Sequence, residues 1–284
     1  MLKSCCIKTN NKQIINNLLN NFKDINLENV FVSKLKFKFY NNIIIHYKGN
    51  NLDSFYNIFS NIVSNTIIKF YETNIIKNMI SINYFYFTDL EQKEIFDIVN
   101  KYINNNEFKE SSLRKNLIKS SCIKYFSDNK SLILDGFVNF RLKDYLKSID
   151  SLVDMAVNKF VIDREYNEFI DLLKCYINSR DYKVNKVHLI YENQESILLD
   201  DNKKIINIDN SILNNKYLSD ISFSSNDYTL NTLLTLLPKK IYIHLINKKT
   251  DEFINTLKLI FDDRIYLCTD CDICNLYRLE NINK

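Results

Sequence analysis

The chain has 284 residues, enough for one large domain or for two to three small ones, each with a buried core. Its net charge of +4, from 38 basic and 34 acidic residues, is too small to indicate a nucleic-acid or anionic-lipid partner by itself. Only two glycines are present, which excludes the usual glycine-rich phosphate loops and dinucleotide-binding fingerprints.

The amino-terminal sequence and the cysteine count bear on the cellular compartment. The start, MLKSCCIKTNNKQ, has no apolar segment of signal-peptide length, and no window reaches the roughly 18 apolar residues of a membrane span. Seven cysteines, an odd number, argue against a disulfide framework. We therefore expect a cytoplasmic protein without a membrane span, whose thiols are free or bound to metal.

The first third of the chain predicts a mixed region of helices and strands. Residues 2–8 have the pattern of a short strand, and residues 11–23 have the apolar spacing of a helix. Helices are also predicted over 52–80 and 89–103. The segment SINYFYF between these two helices could be a strand.

The segment SKLKFKFYNNIIIHYK predicts a β-hairpin. Apolar residues alternate with Lys34, Lys36 and Lys38, as in a half-buried strand, and Asn41-Asn42 can supply the positive φ angles of a two-residue turn. Three lysines on one strand face could bind a phosphate backbone. Lysines are also common on the solvent face of an edge strand, which they protect from pairing with other chains. The second interpretation is favoured, so nucleic acid is not an expected partner.

The middle of the chain predicts helices. Apolar residues repeat at three- and four-residue steps from about 136 to 161, and a second helix is predicted over 163–178. A weaker helical pattern covers 112–126.

Charged pairs and a glycine stand out in these helices. Arg141 with Asp144 and Arg164 with Glu168 have the spacing of intrahelical ion pairs. Gly136 precedes the apolar stripe in a chain that almost lacks glycine, which indicates a position where a side chain would not fit.

The last third predicts strands that alternate with helices. KVHLIY and SILLD have the pattern of two paired strands, and a helix over 226–237 should end before Pro238 because a proline disfavours helical geometry in the preceding residue. KKIYIHLI is a predicted strand, 251–262 a helix and RIYLC a strand. A strand–helix–strand unit of this length is parallel and right-handed in nearly all proteins.

These elements predict a mixed α/β fold, α+β overall, in three parts. They are an N-terminal α+β region, residues 1–110, a central helical block, residues 111–182, and a C-terminal α/β unit with the parallel crossover, residues 183–284.

Three stretches of the sequence carry a family resemblance. They are DGFVNFRLKDYLKSIDSLVDMAVNKFVIDREYNEFIDLLKCYI (135–177), the VHLIY strand, and PKKIYIHLI together with LKLIFDDRIYLCTDCDIC. Over roughly residues 112–275 the chain resembles the YtxC-like sporulation proteins of endospore-forming bacteria. The resemblance implies a cytoplasmic protein of the sporulation programme in a Firmicute. It implies no catalytic residues, because the biochemical role of the family is uncharacterised.

The segment LCTDCDICN places three cysteines two residues apart. A C-x2-C pair can bind one metal ion from a single turn, as in zinc knuckles, so Cys268, Cys271 and Cys274 are candidate ligands. They supply only three of the four ligands of a tetrahedral site. The iron–sulfur pattern C-x2-C-x2-C-x3-C-P fits these three and then fails at Arg278.

The fourth ligand has to come from elsewhere in the chain. His244 is the nearest candidate, because its strand is expected beside RIYLC, and the others are His188, Cys5 and Cys6. The cluster also has a simpler interpretation, in which Cys268 packs as a small apolar residue and the other two lie in an exposed tail.

The residues next to the cysteines favour metal binding over redox chemistry. A reactive thiol needs a helix N-terminus or a cation to lower its pKa. Asp270 and Asp272 should raise the thiol pKa values instead, whereas carboxylates attract a divalent cation.

Three functions follow from these observations. The first is a non-enzymatic protein that acts through contact with an unknown protein partner, with the C-terminal cysteines as a candidate site for a structural zinc. The second is a metal-dependent enzyme in which the three cysteines leave one ligand position open. The third is a nucleic-acid-binding regulator that uses the lysines of the hairpin.

Overall fold

A computed structural model describes residues 2–24, 29–36, 40–104, 110–206 and 224–282. The chain divides into two compact units, Met1–Ile162 and Asp163–Lys284. Each unit contains a four-stranded mixed sheet and helices, so the predicted mixed α/β fold is confirmed. The three-part division at residues 110 and 182 stays a prediction. Within the described ranges, no helix has the length and apolarity needed to cross a membrane.

The sheet of the first unit has four strands, β1 (Leu2–Thr9), β2 (Val30–Lys36), β3 (Asn41–Lys48) and β4 (Ser131–Ile133). Their order is β2-β3-β1-β4, with β3 antiparallel to both of its neighbours and β4 parallel to β1. The strand β4, which the sequence pattern did not indicate, extends this sheet by one member.

The helices of the first unit are α1 (Lys12–Lys23), α2 (Leu52–Ile67), α3 (Thr73–Asn83), α4 (Asp89–Asn104), α5 (Glu110–Asp128), α6 (Leu134–Arg141) and the first part of α7 (Lys143–Asn178). A π-helical turn, Ile68–Glu72, joins α2 to α3. One face of the sheet is buried in the same apolar core as these helices, through alternate residues such as Ile7, Ile43 and Ile45. The charged group of Glu72 lies inside this core, paired with Arg114 and hydrogen-bonded by Tyr145.

The hairpin of β2 and β3 is confirmed, but its predicted turn is wrong. Asn41 and Asn42 lie in β3, where they pair with Lys36 and Leu35. On the other side they pair with β1, so the strand continues past the point that the local sequence indicates. Residues 37–39, including Lys38, lie outside the described residues.

The suggestion of a strand in SINYFYF is also wrong. Its first three residues end α3, and the next residues form a turn before α4. The turn is fixed by side chains, because Tyr84 donates a hydrogen bond to Asp154 and Asn83 donates one to Asp150 at 3.3 Å.

The predicted helix boundaries at 136–161 and 163–178 are wrong. The helical path breaks at buried Leu142, and α7 then continues to Asn178 because no glycine or proline interrupts it. Arg141 and Asp144 therefore fall in different helices and form no ion pair within the described part of the chain. The predicted pair of Arg164 and Glu168 is confirmed, with Nε and Oε1 3.8 Å apart.

The predicted reason for Gly136 is wrong as well. A Cβ atom built on this glycine meets no other atom within 4 Å, and its φ angle is not positive. No contact within the described chain therefore requires a glycine at this position.

The second unit contains the strands β5 (Val184–Glu192), β6 (Glu195–Leu199), β7 (Pro238–Leu245) and β8 (Ile265–Cys268), in the order β6-β5-β7-β8. The antiparallel pair β5–β6 and the parallel pair β7–β8 confirm the predictions. The later part of α7 belongs to this unit, and its other helices are α8 (Ser225–Leu236), α9 (Glu252–Phe261) and α10 (Asp272–Ile282).

The two faces of this sheet differ. Ile241, Ile243 and Leu245 of β7 are buried in the main core of the unit, together with residues of α9. His244 alternates with them and lies on the opposite face, where Cys274 of α10 joins a smaller apolar cluster. Cys268 packs against the same cluster from the end of β8, as the simpler interpretation of the cysteines expects. The exposed tail of that interpretation is wrong, because α10 occupies this segment and buries Cys274.

Candidate metal centre

Two neighbouring strands and the helix that follows them bring the candidate ligands together. His244 and Cys268 are direct cross-strand partners in the parallel pair of β7 and β8. The chain leaves β8 at Cys268, turns through Cys271 and enters α10, whose first turn carries Cys274. The parallel register therefore places the histidine beside the first cysteine, and the helix returns the other two to it.

The sulfur and nitrogen atoms of these four residues converge on one point. His244 Nδ1 lies 3.3 Å from Cys271 Sγ and 3.4 Å from Cys274 Sγ. Cys274 Sγ lies 3.6 Å from Cys271 Sγ and 3.8 Å from Cys268 Sγ. All four ligand atoms lie within 4.8 Å of one another, so this group of residues could hold a metal ion.

These separations can be compared with those of a tetrahedral zinc site. With zinc–sulfur bonds of about 2.3 Å and zinc–nitrogen bonds of about 2.0–2.1 Å, neighbouring ligand atoms lie about 3.5–3.8 Å apart. The four distances of 3.3, 3.4, 3.6 and 3.8 Å are close to these values. Four of the six distances between the ligand atoms therefore match a tetrahedral zinc site, and the other two are no longer than 4.8 Å.

The candidate site is largely closed to solvent. Cys274 is fully buried and His244 is only 3% exposed, whereas Cys268 and Cys271 are half-buried. Ile190, Leu199 and Ile246 form an apolar cluster with Cys274. Such a setting strengthens the attraction between thiolates and a cation, because it excludes water from the site.

The pKa values of the ligands follow from this burial and from nearby hydrogen bonds. Burial raises the pKa of the Cys274 thiol to about 12. Burial also acts to raise the pKa of Cys271, but hydrogen bonds from the backbone of Cys274 and Ile273 and from the Cys268 side chain lower it below its ordinary value. Burial, followed by the nearby His188, lowers the pKa of His244 to about 4. The histidine is therefore neutral at pH 7, as a metal ligand must be.

His188, the other histidine candidate, contacts His244 instead of joining the ligand group. Its Nδ1 lies 2.9 Å from His244 Nε2, and the two rings stack with centroids 5.2 Å apart. Since His244 Nδ1 faces the cysteines, its Nε2–H is the atom that donates to His188. Metal-binding histidines commonly donate their second N–H to such an acceptor, which fixes the ring and its tautomer.

Arg278 holds the turn that carries Cys271, a role that the sequence did not suggest. Its guanidinium donates to the Ile246 carbonyl at 3.0 Å, to the Asp270 carboxylate at 3.0 Å and to the Thr269 carbonyl. The residue that breaks the iron–sulfur pattern thus ties α10 to the residue after β7 and to the turn after β8.

The predicted effect of Asp270 on the cysteines is wrong. Its carboxylate pairs with Arg278 and, at 3.1 Å, with Lys248, and these two partners lower its pKa. The pKa of Cys271 is lowered instead of raised, because the amides at the start of α10 hydrogen-bond its sulfur.

The remaining candidate residues lie in the first unit. Cys5 is buried in β1 and Cys6 is half-buried beside it, and neither belongs to the group of four ligands. Lys34 and Lys36 are exposed on β2, an edge strand of its sheet.

Comparisons with known proteins identify the family of the chain. No solved structure matches it. The uncharacterised protein YtxC of Bacillus subtilis (strain 168) is 20% identical over 134 residues, which are 46% of each chain, so the match spans about half the length of that relative. The YtxC-like family model matches residues 57–266, which include His244 and end before Cys268. The chain belongs to the YtxC-like family.

Proposed function

We propose that this chain is a non-enzymatic protein whose C-terminal unit is stabilised by a structural zinc ion bound to His244, Cys268, Cys271 and Cys274. The observation that carries the proposal is that the four ligand atoms lie within 4.8 Å of one another, with four of their six distances close to those of a tetrahedron around zinc. A Cys3His set is one of the common ligand sets of structural zinc sites.

A structural role is favoured over a catalytic one because protein atoms supply four ligands. A catalytic zinc usually keeps one position for water or substrate. Here His244, which is almost fully buried, would occupy the position that three cysteines alone would leave open. The ion would join β7, β8 and α10, so its free energy of binding would contribute to the folding of this unit.

An interaction with another protein is supported by a group of exposed apolar side chains around the turn between α3 and α4. The exposed fractions are 71% for Ile82, 77% for Phe85, 63% for Tyr86 and 75% for Leu90. Exposed apolar side chains that lie together often mark a binding surface. Asp154 and Asp150 lie beside the same turn, so the partner surface would combine apolar side chains with cations.

The cellular setting of the proposal comes from the family. Resemblance to YtxC-like sporulation proteins supports a cytoplasmic role in the sporulation programme, with a protein partner from that programme. In this role the zinc would be a permanent part of the fold, and the apolar turn would provide the contact.

Elemental analysis of the full chain, purified without chelator or histidine tag, tests the zinc site. We expect about one equivalent of zinc in the parent protein and none in Cys274→Ser. The matched control is Cys175→Ser, because Cys175 is an exposed cysteine on α7 outside the ligand group. Absence of zinc from the parent, or equal zinc in Cys274→Ser, would overturn the proposal.

A further inference from the structure

Three neighbouring open cavities in the first unit have volumes of about 430, 470 and 530 Å³, each within the usual size range of ligand sites. The first and second share Lys8 and Ser131 in their walls, and the second and third share Phe140 and Arg141. We refer to these three neighbouring cavities as the basic groove.

The charge of the basic groove is predominantly positive. Five cationic side chains line it, those of Lys8, Lys124, Lys130, Arg141 and Lys143. The carboxylates of Asp128 and Asp144 are both in the third cavity. Within the described residues, none of the five cations forms a salt bridge with a carboxylate. The lining of the groove therefore has five cations against two carboxylates, and both carboxylates are in the third cavity.

An aromatic side chain stands among these cations. Phe140 lines both the second and the third cavity and is 72% exposed, although it immediately precedes Arg141. Tyr125 also lines both cavities. An exposed ring beside cations is the arrangement with which proteins bind single-stranded nucleic acids, since bases stack on the ring and phosphates contact the cations.

Gly136 gives an independent indication of a ligand in the same place. A glycine inside a helix destabilises it relative to alanine, and this chain has only two glycines. Gly136 lies in α6 and lines the second cavity, yet a Cβ atom there would meet no protein atom within 4 Å. A molecule that approaches the backbone from the groove would account for a glycine that the fold itself does not need.

We propose that the basic groove binds single-stranded nucleic acid. The phosphates would contact cations that include Lys8 and Arg141, a base would stack on Phe140, and the backbone would pass close to Gly136. Acidic peptides match the charge of the groove but carry no base to stack on the exposed ring of Phe140. This site is independent of the proposed zinc site, which lies in the other unit.

The first test measures binding of the full chain to a labelled single-stranded oligonucleotide of about 20 nucleotides at several salt concentrations. Each lost phosphate contact reduces the slope of log K against log salt by about 0.7. The variant Arg141→Gln/Lys143→Gln should therefore lower the slope by about 1.4 and weaken binding on the order of 25-fold near 0.1 M salt.

The matched control for this variant is Lys34→Gln/Lys36→Gln, which removes the same charge from β2, outside the groove. The proposal predicts binding close to that of the parent protein. An equal loss in both variants, or no binding by the parent at low salt, would overturn it. Equal affinity for polyglutamate of similar length would also overturn it, because the groove would then recognise charge alone.

Two further variants separate binding from folding. Phe140→Ala should weaken binding by about 5- to 150-fold, the usual range for loss of one stacked base. Gly136→Ala should raise the melting temperature by roughly 1–4 °C, because alanine favours the helix and the added methyl group meets open space. The same change should weaken binding on the order of tenfold by crowding the ligand. Unchanged binding in both variants would refute the proposed position of the ligand.

Discussion

The hydrogen bond between the two histidines of the second unit permits a substitution that isolates one interaction. His188→Phe removes the Nδ1 atom that lies 2.9 Å from His244 Nε2 and keeps a ring of similar size in place. The stacking of this ring against His244 and Tyr242, with centroids 5.2 and 5.4 Å apart, should persist. Loss of such a hydrogen-bond partner usually lowers metal affinity about 10- to 100-fold, or by about 1.4–2.7 kcal/mol.

Competition with a chromophoric zinc chelator measures this change directly. We expect His188→Phe to release zinc at a lower chelator concentration than the parent while its circular dichroism spectrum stays the same. Tyr242→Phe is the control, because Tyr242 stacks on His188 without belonging to the ligand group. A zinc affinity unchanged in His188→Phe would refute the role of His188 in orienting His244.

Three further predictions concern the turn after β8, the pH dependence of zinc binding and the core of the first unit. Arg278→Gln removes the charged hydrogen bonds that hold the turn, so it should lower the free energy of unfolding in denaturant by about 1.5–3 kcal/mol and weaken zinc binding. A variant as stable as the parent would contradict this role of Arg278. Zinc affinity, measured by chelator titration at each pH, should fall as the pH decreases from 8 to 5. The reason is that zinc must displace the proton of the Cys274 thiol, whose pKa is about 12. His244 does not contribute to this fall, because its pKa of about 4 keeps it neutral over the range. Glu72→Gln should destabilise the first unit by about 3–5 kcal/mol because it leaves the buried Arg114 without its charged partner, and the additional change Arg114→Met should restore part of the loss.

Much of the fold could be predicted because its elements have clear apolar periodicity. The strands around His188 and His244 have this property, and a short crossover helix between β7 and β8 dictates their parallel pairing. The strand β4 could not be found in this way, since it has three residues and depends on pairing with a strand more than 120 positions earlier. The break at Leu142 is likewise decided by tertiary burial, because the apolar pattern continues across it.

The clustering of His244 with the three cysteines could be predicted from the sequence, whereas the contacts that hold the cluster in place could not. Adjacent parallel strands were enough to place His244 beside Cys268. The role of Arg278 depends on the return of α10 towards β7, and the sequence pattern did not indicate that helix. The basic groove could not be predicted from the sequence for a similar reason. Lys8 and Arg141 are far apart in the chain and line the same cavity only in the folded unit.

The central claim is that three cysteines and one histidine form a closed zinc site. X-ray absorption at the zinc edge of the full chain, purified without chelator, tests it most directly. We predict a shell of three sulfur atoms at about 2.3 Å and one nitrogen atom at about 2.0–2.1 Å. A protein without zinc, or a shell in which water oxygen replaces the histidine nitrogen, would contradict the proposed structural site.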